Sequence, residues 1–219
     1  MGASSTRADL SHASGAHAPR WLVALVIVLA VAVVGLGVLV ARGAVLKGRQ
    51  RTGGDLRLGL LEEGVQARPN DLALRRQLAF AYQLAGRDDD ALREYDAVLS
   101  EDPRDLAALY NKGLVTLSAG RRAEGERILL RVLELAPSHS LAAKALGELY
   151  VESAQFERVV DVVVPAADAH PGLADLQYLA GLGYENTRRP LEAEERYGRA
   201  LSLMPDLTEA QRGLERVRQ

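Results

Sequence analysis

Residues 72–105 read LALRRQLAFAYQLAGRDDDALREYDAVLSEDPRD, and residues 106–139 read LAALYNKGLVTLSAGRRAEGERILLRVLELAPSH. The two segments agree in layout more than in letters. Each follows an aspartate, reaches a glycine midway, resumes with charged residues and then meets a proline. That proline recurs at Pro69, Pro103, Pro137, Pro171 and Pro205 with an unchanging spacing of 34 residues. A domain built on one closed core has no reason to hold so long a period. A stack of like two-helix units does, because each unit buries its apolar face only against its neighbours.

The chemistry within a unit fits a helix pair. Asp71 is placed to cap a first helix carrying Leu74, Leu78, Ala81 and Tyr82. Gly86 ends that helix with a residue that tolerates left-handed backbone. Asp88, Asp89 and Asp90 open a second helix, where carboxylates suit the positive end of the helix dipole. It carries Ala91, Leu92, Tyr95, Val98 and Leu99 and stops before Pro103. The next segment repeats the scheme with Asp105, Leu109, Gly113, Gly120, Leu129 and Val132.

Four full units are therefore expected at 72–105, 106–139, 140–173 and 174–207. Before them, residues 55–71 supply a lone helix in second-helix register, a half-repeat expected to cap the solenoid on the membrane side. Asp55 is its expected cap, its end is expected at Arg68, and Leu56, Leu60, Leu61 and Val65 share a face. After them, residues 208–219 form an amphipathic closing helix, with Leu207, Ala210, Leu214 and Val217 turned inward. The unit at 140–173 is the least regular. Its second helix reads RVVDVVVPAADAH over 158–170, rich in poor helix formers and interrupted by Pro165, so a kinked or shortened helix is expected. Pro190 falls at a helix start, where it is tolerated.

These residues resemble the tetratricopeptide repeats, whose period is also about 34 residues. A small residue falls in mid first helix at Ala79, Gly113, Gly147 and Gly181, followed three positions on by Tyr82, Thr116, Tyr150 and Tyr184. Ala91 and Ala193 take the small position of the second helix, and Tyr95 and Tyr197 the large one. Small residues let two helices approach and large ones fill the gap beside them. Departures are Gly125 and Val159 where alanine is usual, and Ala154 and Arg188 in place of the turn glycine. The resemblance covers residues 55–219. It implies an all-α, right-handed α-solenoid, here preceded by a single transmembrane helix, as in membrane-anchored bacterial proteins of this kind.

The anchor is read from residues 21–41, WLVALVIVLAVAVVGLGVLVA, an uncharged run. As a helix it spans roughly 30 Å, the thickness of a bilayer core. Trp21 suits the headgroup level, and Arg20 and Arg42 bracket the run. It is longer than the apolar core of a cleaved signal peptide, about 7–15 residues. Residues 1–20, rich in Ala, Ser, Gly and His, read as a disordered tail, and residues 42–54 as a basic, glycine-containing linker. Arg42, Lys47, Arg49 and Arg51 outnumber Arg7 and Arg20 on the other flank, which favours a single-pass protein with its repeats in the cytoplasm. The basic cluster itself reads as a lipid-surface contact.

Charge and composition narrow the function. Residues 1–54 carry six Lys/Arg against one Asp, whereas residues 55–219 carry 21 basic and 28 acidic side chains. An acidic repeat domain lacks the basic stripe that nucleic acid requires. The absence of cysteine removes disulfides, thiolate metal sites and a cysteine nucleophile. The chain shows no phosphate-binding glycine loop, no nucleophile elbow and no paired metal histidines. His139 and His170 fall in inter-unit turns as surface or capping residues, and Asp88–Asp90 lack the alternating spacing of a calcium loop. A non-enzyme is expected, with no cofactor, no metal and no small-molecule substrate.

The resemblance implies a protein-interaction scaffold whose first helices line a groove for a peptide or helix of a partner protein. Carried onto this chain, the groove residues are Arg76, Phe80 and Gln83, then Tyr110, Leu114 and Leu117. Lys144, Glu148 and Val151 follow, then Tyr178, Leu182 and Glu185. Packing between first helices is an equal reading for Leu114, Leu117 and Leu182. The set of Lys, Arg and Asn side chains by which some family members hold carboxylate tails is incomplete. Arg76 and Asn111 match it, while Leu141, Ala145 and Phe80 do not. Two further readings accompany the scaffold. One is an accessory factor in bacterial cytochrome c maturation or envelope-complex assembly, which anchored repeat proteins resemble. The other is a structural subunit packed permanently against another membrane protein.

Overall fold

The computed structural model describes residues 53–219. The expected tail at 1–20, the transmembrane run at 21–41 and the linker up to residue 52 lie outside the described residues. Among the described residues, no helix is long and apolar enough to cross a membrane.

Ten α-helices and no strand occur among the described residues: α1 (Gly53–Ala67), α2 (Leu72–Leu84), α3 (Asp88–Glu101), α4 (Leu106–Ser118), α5 (Arg122–Leu135), α6 (Ser140–Glu152), α7 (Phe156–Ala169), α8 (Ala174–Asn186), α9 (Pro190–Leu203) and α10 (Thr208–Val217). The first helices of the pairs, α2, α4, α6 and α8, each have 13 residues. The second helices, α3, α5, α7 and α9, each have 14. Each helix packs on the next along the chain, and first helices also touch across units, α2 on α4, α6 on α8 and α8 on α10. This in-line order is what stacked helix pairs require.

Local chemistry sets the boundaries. Asp71 accepts a bond from the Leu74 amide at 3.0 Å, and Asp105 from Ala108 at 2.9 Å. The third unit uses His139, whose Nδ1 accepts from Ala142 at 3.1 Å. At the other end of the first helices the backbone turns left-handed, at Gly86 (φ 69°) and Gly120 (φ 76°), but also at Ala154 (φ 54°) and Arg188 (φ 60°). The glycine-free turns keep this geometry because all four units close alike. The amides of Arg87, Arg121, Gln155 and Arg189 return to the carbonyls of Tyr82, Thr116, Tyr150 and Tyr184 at 2.8–3.1 Å. Those bonds hold a conformation that costs a side-chain-bearing residue about 1–2 kcal/mol.

The core follows the small-against-large rule. Tyr95, Leu129, Val163 and Tyr197 are sealed from solvent. Three of them sit directly on the mid-helix glycines. A Cβ at Gly113 would lie 2.8 Å from Leu129, at Gly147 2.6 Å from Val163, and at Gly181 2.7 Å from the Tyr197 ring. Gly125 has its own reason. A Cβ there would lie 2.6 Å from Leu117, so the larger side chain on α4 takes the room that alanine fills elsewhere.

Two expectations need correction. The second helix of the third unit is not shortened: α7 runs unbroken through Pro165 and equals the other second helices in length. Val159, Val163, Ala166 and Ala167 on its inner face are completely buried, and this tertiary burial outweighs weak helix propensity, while Pro165 itself faces solvent. The lone N-terminal helix begins at Gly53 and ends at Ala67, so Asp55 lies in its first turn and is not its cap. There the carboxylate acts on the positive end of the helix dipole.

Buried phenols make the array sensitive to alkali. Burial, with a bond to Glu62, pushes the Tyr82 hydroxyl up to about 12, and burial pushes Tyr95, Tyr150 and Tyr197 further in the same direction. A pKa raised in the folded state contributes stability that is whole below the unfolded value of about 10 and is lost as pH climbs towards the folded value. The unfolding midpoint in urea is therefore expected to fall between about pH 9 and about pH 11, with phenolate absorbance appearing together with unfolding. Phenolate forming well before unfolding would contradict this burial.

Candidate peptide-binding groove

The twelve residues assigned to the groove fall in three rows along the first helices, spaced four and then three residues apart, which places them on one helix face. None is fully buried. The structure gives the three rows different work.

The first row, Arg76, Tyr110, Lys144 and Tyr178, is engaged by other side chains of the array; the first three meet residues at the start of the next first helix, and Tyr178 meets its own unit. Arg76 pairs with the second carboxylate oxygen of Asp105, the residue that caps α4. The Tyr110 ring lies 5.5 Å from that of His139, the residue that caps α6. Lys144 pairs with Asp175 in the first turn of α8; the bond raises the lysine pKa and lowers that of the aspartate. Tyr178 lies 6.1 Å, ring to ring, from Tyr197.

The third row, Gln83, Leu117, Val151 and Glu185, faces back into its own unit. Gln83 accepts a bond from the Tyr95 hydroxyl at 3.2 Å. Leu117 covers Gly125, and Val151 packs on the central core. Glu185 accepts from the Tyr197 hydroxyl at 2.5 Å and from Arg216 at 2.5 and 2.9 Å. Burial would raise its carboxyl, but these donors outweigh burial and hold it low.

The middle row, Phe80, Leu114, Glu148 and Leu182, is left open. Phe80 is 43% exposed, Glu148 is exposed, and Leu114 and Leu182 are half-buried. Among the described residues, Glu148 makes no ion pair. Between α4 and α6 a hollow of about 510 Å³ opens, lined by Leu114, Leu117, Ala145 and Leu149 with Glu148 and Glu152 at its edge. Arg122 spans its rim, pairing with Glu152 at 3.2 Å and donating to the Leu149 carbonyl. Such a site offers an apolar floor beside a carboxylate that feels the charge of Lys144 but forms no ion pair with it.

Glu152 lines this hollow and Leu84 is exposed on α2, although residue-by-residue transfer from the repeat pattern passes both over. Their signal was a position four residues after a middle-row member, or one helical turn beside it: Leu84 follows Phe80, and Glu152 follows Glu148. Among the described residues, no cluster of His, Cys, Asp or Glu could hold a metal ion.

Comparison with known proteins bears on the fold. No family model matches the chain. Over 104 residues it is 30% identical to ER membrane protein complex subunit 2 of Xenopus tropicalis, covering 48% of this chain and 35% of that protein. Subunit 2-A of Xenopus laevis is 29% identical over the same length. The chain thus spans about a third of the curated relatives it matches. Among solved structures, MamA 41-end from Desulfovibrio magneticus RS-1 aligns with a TM-score of 0.58 at 22% identity, covering 68% of this chain and 84% of that one. A crystal structure of MamA protein aligns with a TM-score of 0.59 at 21% identity, covering 67% and 80%. The fold is a tetratricopeptide-type helical repeat array.

Proposed function

We propose that the chain is a membrane-anchored scaffold that grips a segment of a partner protein along the open middle row of its first helices. The observation that carries this reading is the contrast between rows. Two rows are mostly engaged by contacts inside the array, whereas Phe80, Leu114, Glu148 and Leu182 stay open or half-open, and Leu114 and Glu148 line the hollow between α4 and α6. The gripped segment has an apolar side chain for the hollow and a lysine or arginine beside it for Glu148. Acidic charge over residues 55–219 supports a basic segment as well. Residues 21–41 supply the anchor, and the Lys/Arg surplus after them favours repeats on the cytoplasmic side.

The test is selection of random peptides on the full chain in detergent. Selected peptides are expected to carry a basic residue within two positions of Leu, Ile, Met or Phe. Glu148→Lys is expected to weaken them about tenfold or more, which is about 1.4 kcal/mol. Leu191→Ser, on the exposed face of α9, is expected to leave binding unchanged. Selected peptides that ignore both Glu148→Lys and Leu114→Asp would remove the groove from the function.

A second reading, a subunit packed permanently in a membrane protein complex, is favoured by the name of the Xenopus relatives, which are subunits of a membrane protein complex. It differs in its outcome: the purified chain would be aggregated or unfolded without its complex.

A further inference from the structure

The outer faces of the second helices carry a pattern that the groove does not use. Residues spaced four apart lie on one helix face. Equivalent positions of α3, α5, α7 and α9 therefore form three outer rows across the repeating units. The middle row reads Arg93, Arg127, Asp161 and Glu195, two basic residues and then two acidic ones, all exposed. The row on its N-terminal side reads Asp89, Ala123, Glu157 and Leu191, again all exposed. The row on its C-terminal side reads Ala97, Arg131, Pro165 and Arg199, of which only Ala97 is half-buried.

This pattern is complementary to itself. A two-fold axis between α5 and α7, perpendicular to the face, would set α5 antiparallel against α7 of a second copy and α3 against α9. Arg127 would then meet Asp161, Arg131 would meet Glu157, and Ala123 would meet Pro165. On the flanking helices Arg93 would meet Glu195, Asp89 would meet Arg199, and Ala97 would meet Leu191, which is 78% exposed. Each charge in the three rows faces its opposite, and each apolar residue faces an apolar one. A two-fold contact makes every such pair twice. Sliding the copies by one unit destroys the match, because it sets Arg127 on Arg127 in one direction and Asp161 on Asp161 in the other.

Little inside one copy competes. Arg127 and Asp161, nearest the axis, join no ion pair among the described residues. Arg93 pairs with Asp90, Arg131 with Glu134 and Arg199 with Glu195, all about one turn away on the same helix. Such exposed pairs are weak and re-form easily with another partner. The three rows balance four arginines against four carboxylates, whereas residues 55–219 carry 21 basic and 28 acidic side chains. This face thus escapes the repulsion that an acidic array exerts on its copy.

We propose that two copies of the chain pair antiparallel through the outer faces of their second helices, with α5 and α7 at the centre. The pairing does not depend on the groove, which lies on the first helices. A contact made of exposed charges is weak, reversible and sensitive to salt.

Sedimentation velocity of the full chain in detergent, over a range of concentrations, tests this. The chain is expected to dimerise, and less so as sodium chloride is raised. Arg127→Asp and Asp161→Arg each set like charges together twice at the centre, and each is expected to weaken the dimer about tenfold or more. An equimolar mixture of these two variants returns opposite charges to both central contacts, as does the doubly substituted chain. Both are expected to dimerise as the unsubstituted chain does, an outcome that simple loss of stability would not give. An unsubstituted chain that stays monomeric would overturn the proposal. So would a dimer that neither single substitution weakens, which is held elsewhere, or a mixture that stays as weak as its components.

Discussion

Replacing Tyr197 with alanine is expected to lower the unfolding free energy by about 3–5 kcal/mol, the range for truncating a large buried side chain. The ring is sealed from solvent and held between two glycines. A Cβ at Gly181 would lie 2.7 Å from one edge, and a Cβ at Gly213 2.4 Å from Cζ. Both glycines lie on helices, α8 and α10, and carry no side chain to refill the cavity from these two sides. The hydroxyl adds a bond to Glu185, whose other donor, Arg216, also comes from α10. Three helices therefore lose their common filler at once. Tyr197→Phe keeps the ring and loses only the hydroxyl bond, and is expected to cost about 1 kcal/mol. Because stacked units open from their ends, the first sign should be faster amide exchange in α9 and α10 while α4 to α6 stay protected. Urea unfolding of both variants measures the difference. Equal costs for the two substitutions would show that ring packing is not what holds this end.

Replacing Pro165 with alanine is expected to stabilise the array by about 2 kcal/mol. A proline in a helix interior is about 3 kcal/mol worse than alanine, because it has no amide to give and crowds the carbonyl four residues back. Here that carbonyl belongs to Asp161. Proline returns part of this by stiffening the unfolded chain, about 0.4–1 kcal/mol. Pro165 faces solvent, so its removal empties no core, and Val163, Ala166 and Ala167 keep their buried places. For an array of this size, that gain corresponds to a rise in melting temperature of about 4–8 °C. An unchanged or lower melting temperature would mean that the ring makes a contact worth more than the helical bond it removes.

The repeat period made the helix pairs legible, because the proline ladder, the caps and the small–large alternation are local chemistry written 34 residues apart. Asp71 and Asp105 cap the helices they precede, and the mid-helix glycines meet the large residues opposite. Propensity misled at α7, where valines and Pro165 argue locally against a helix that burial enforces from both sides. The proposed groove was legible only as a set of positions. Which row stays open depends on partners at the start of the next first helix: Arg76 is claimed by Asp105, Lys144 by Asp175 and Tyr110 by His139. Those pairings join residues about 30 positions apart, and no local pattern announces them. Neither does the hollow between α4 and α6, which forms where these two first helices touch least.

Methyl-resolved NMR of the full chain in detergent, with a selected peptide added, tests the proposed groove most directly. The methyls of Leu114, Leu117, Leu149 and Leu182 are expected to shift or broaden on binding, while those of Leu191 and Leu203 hold still. Shifts confined to the second helices, or none along the middle row, would show that the partner is held elsewhere.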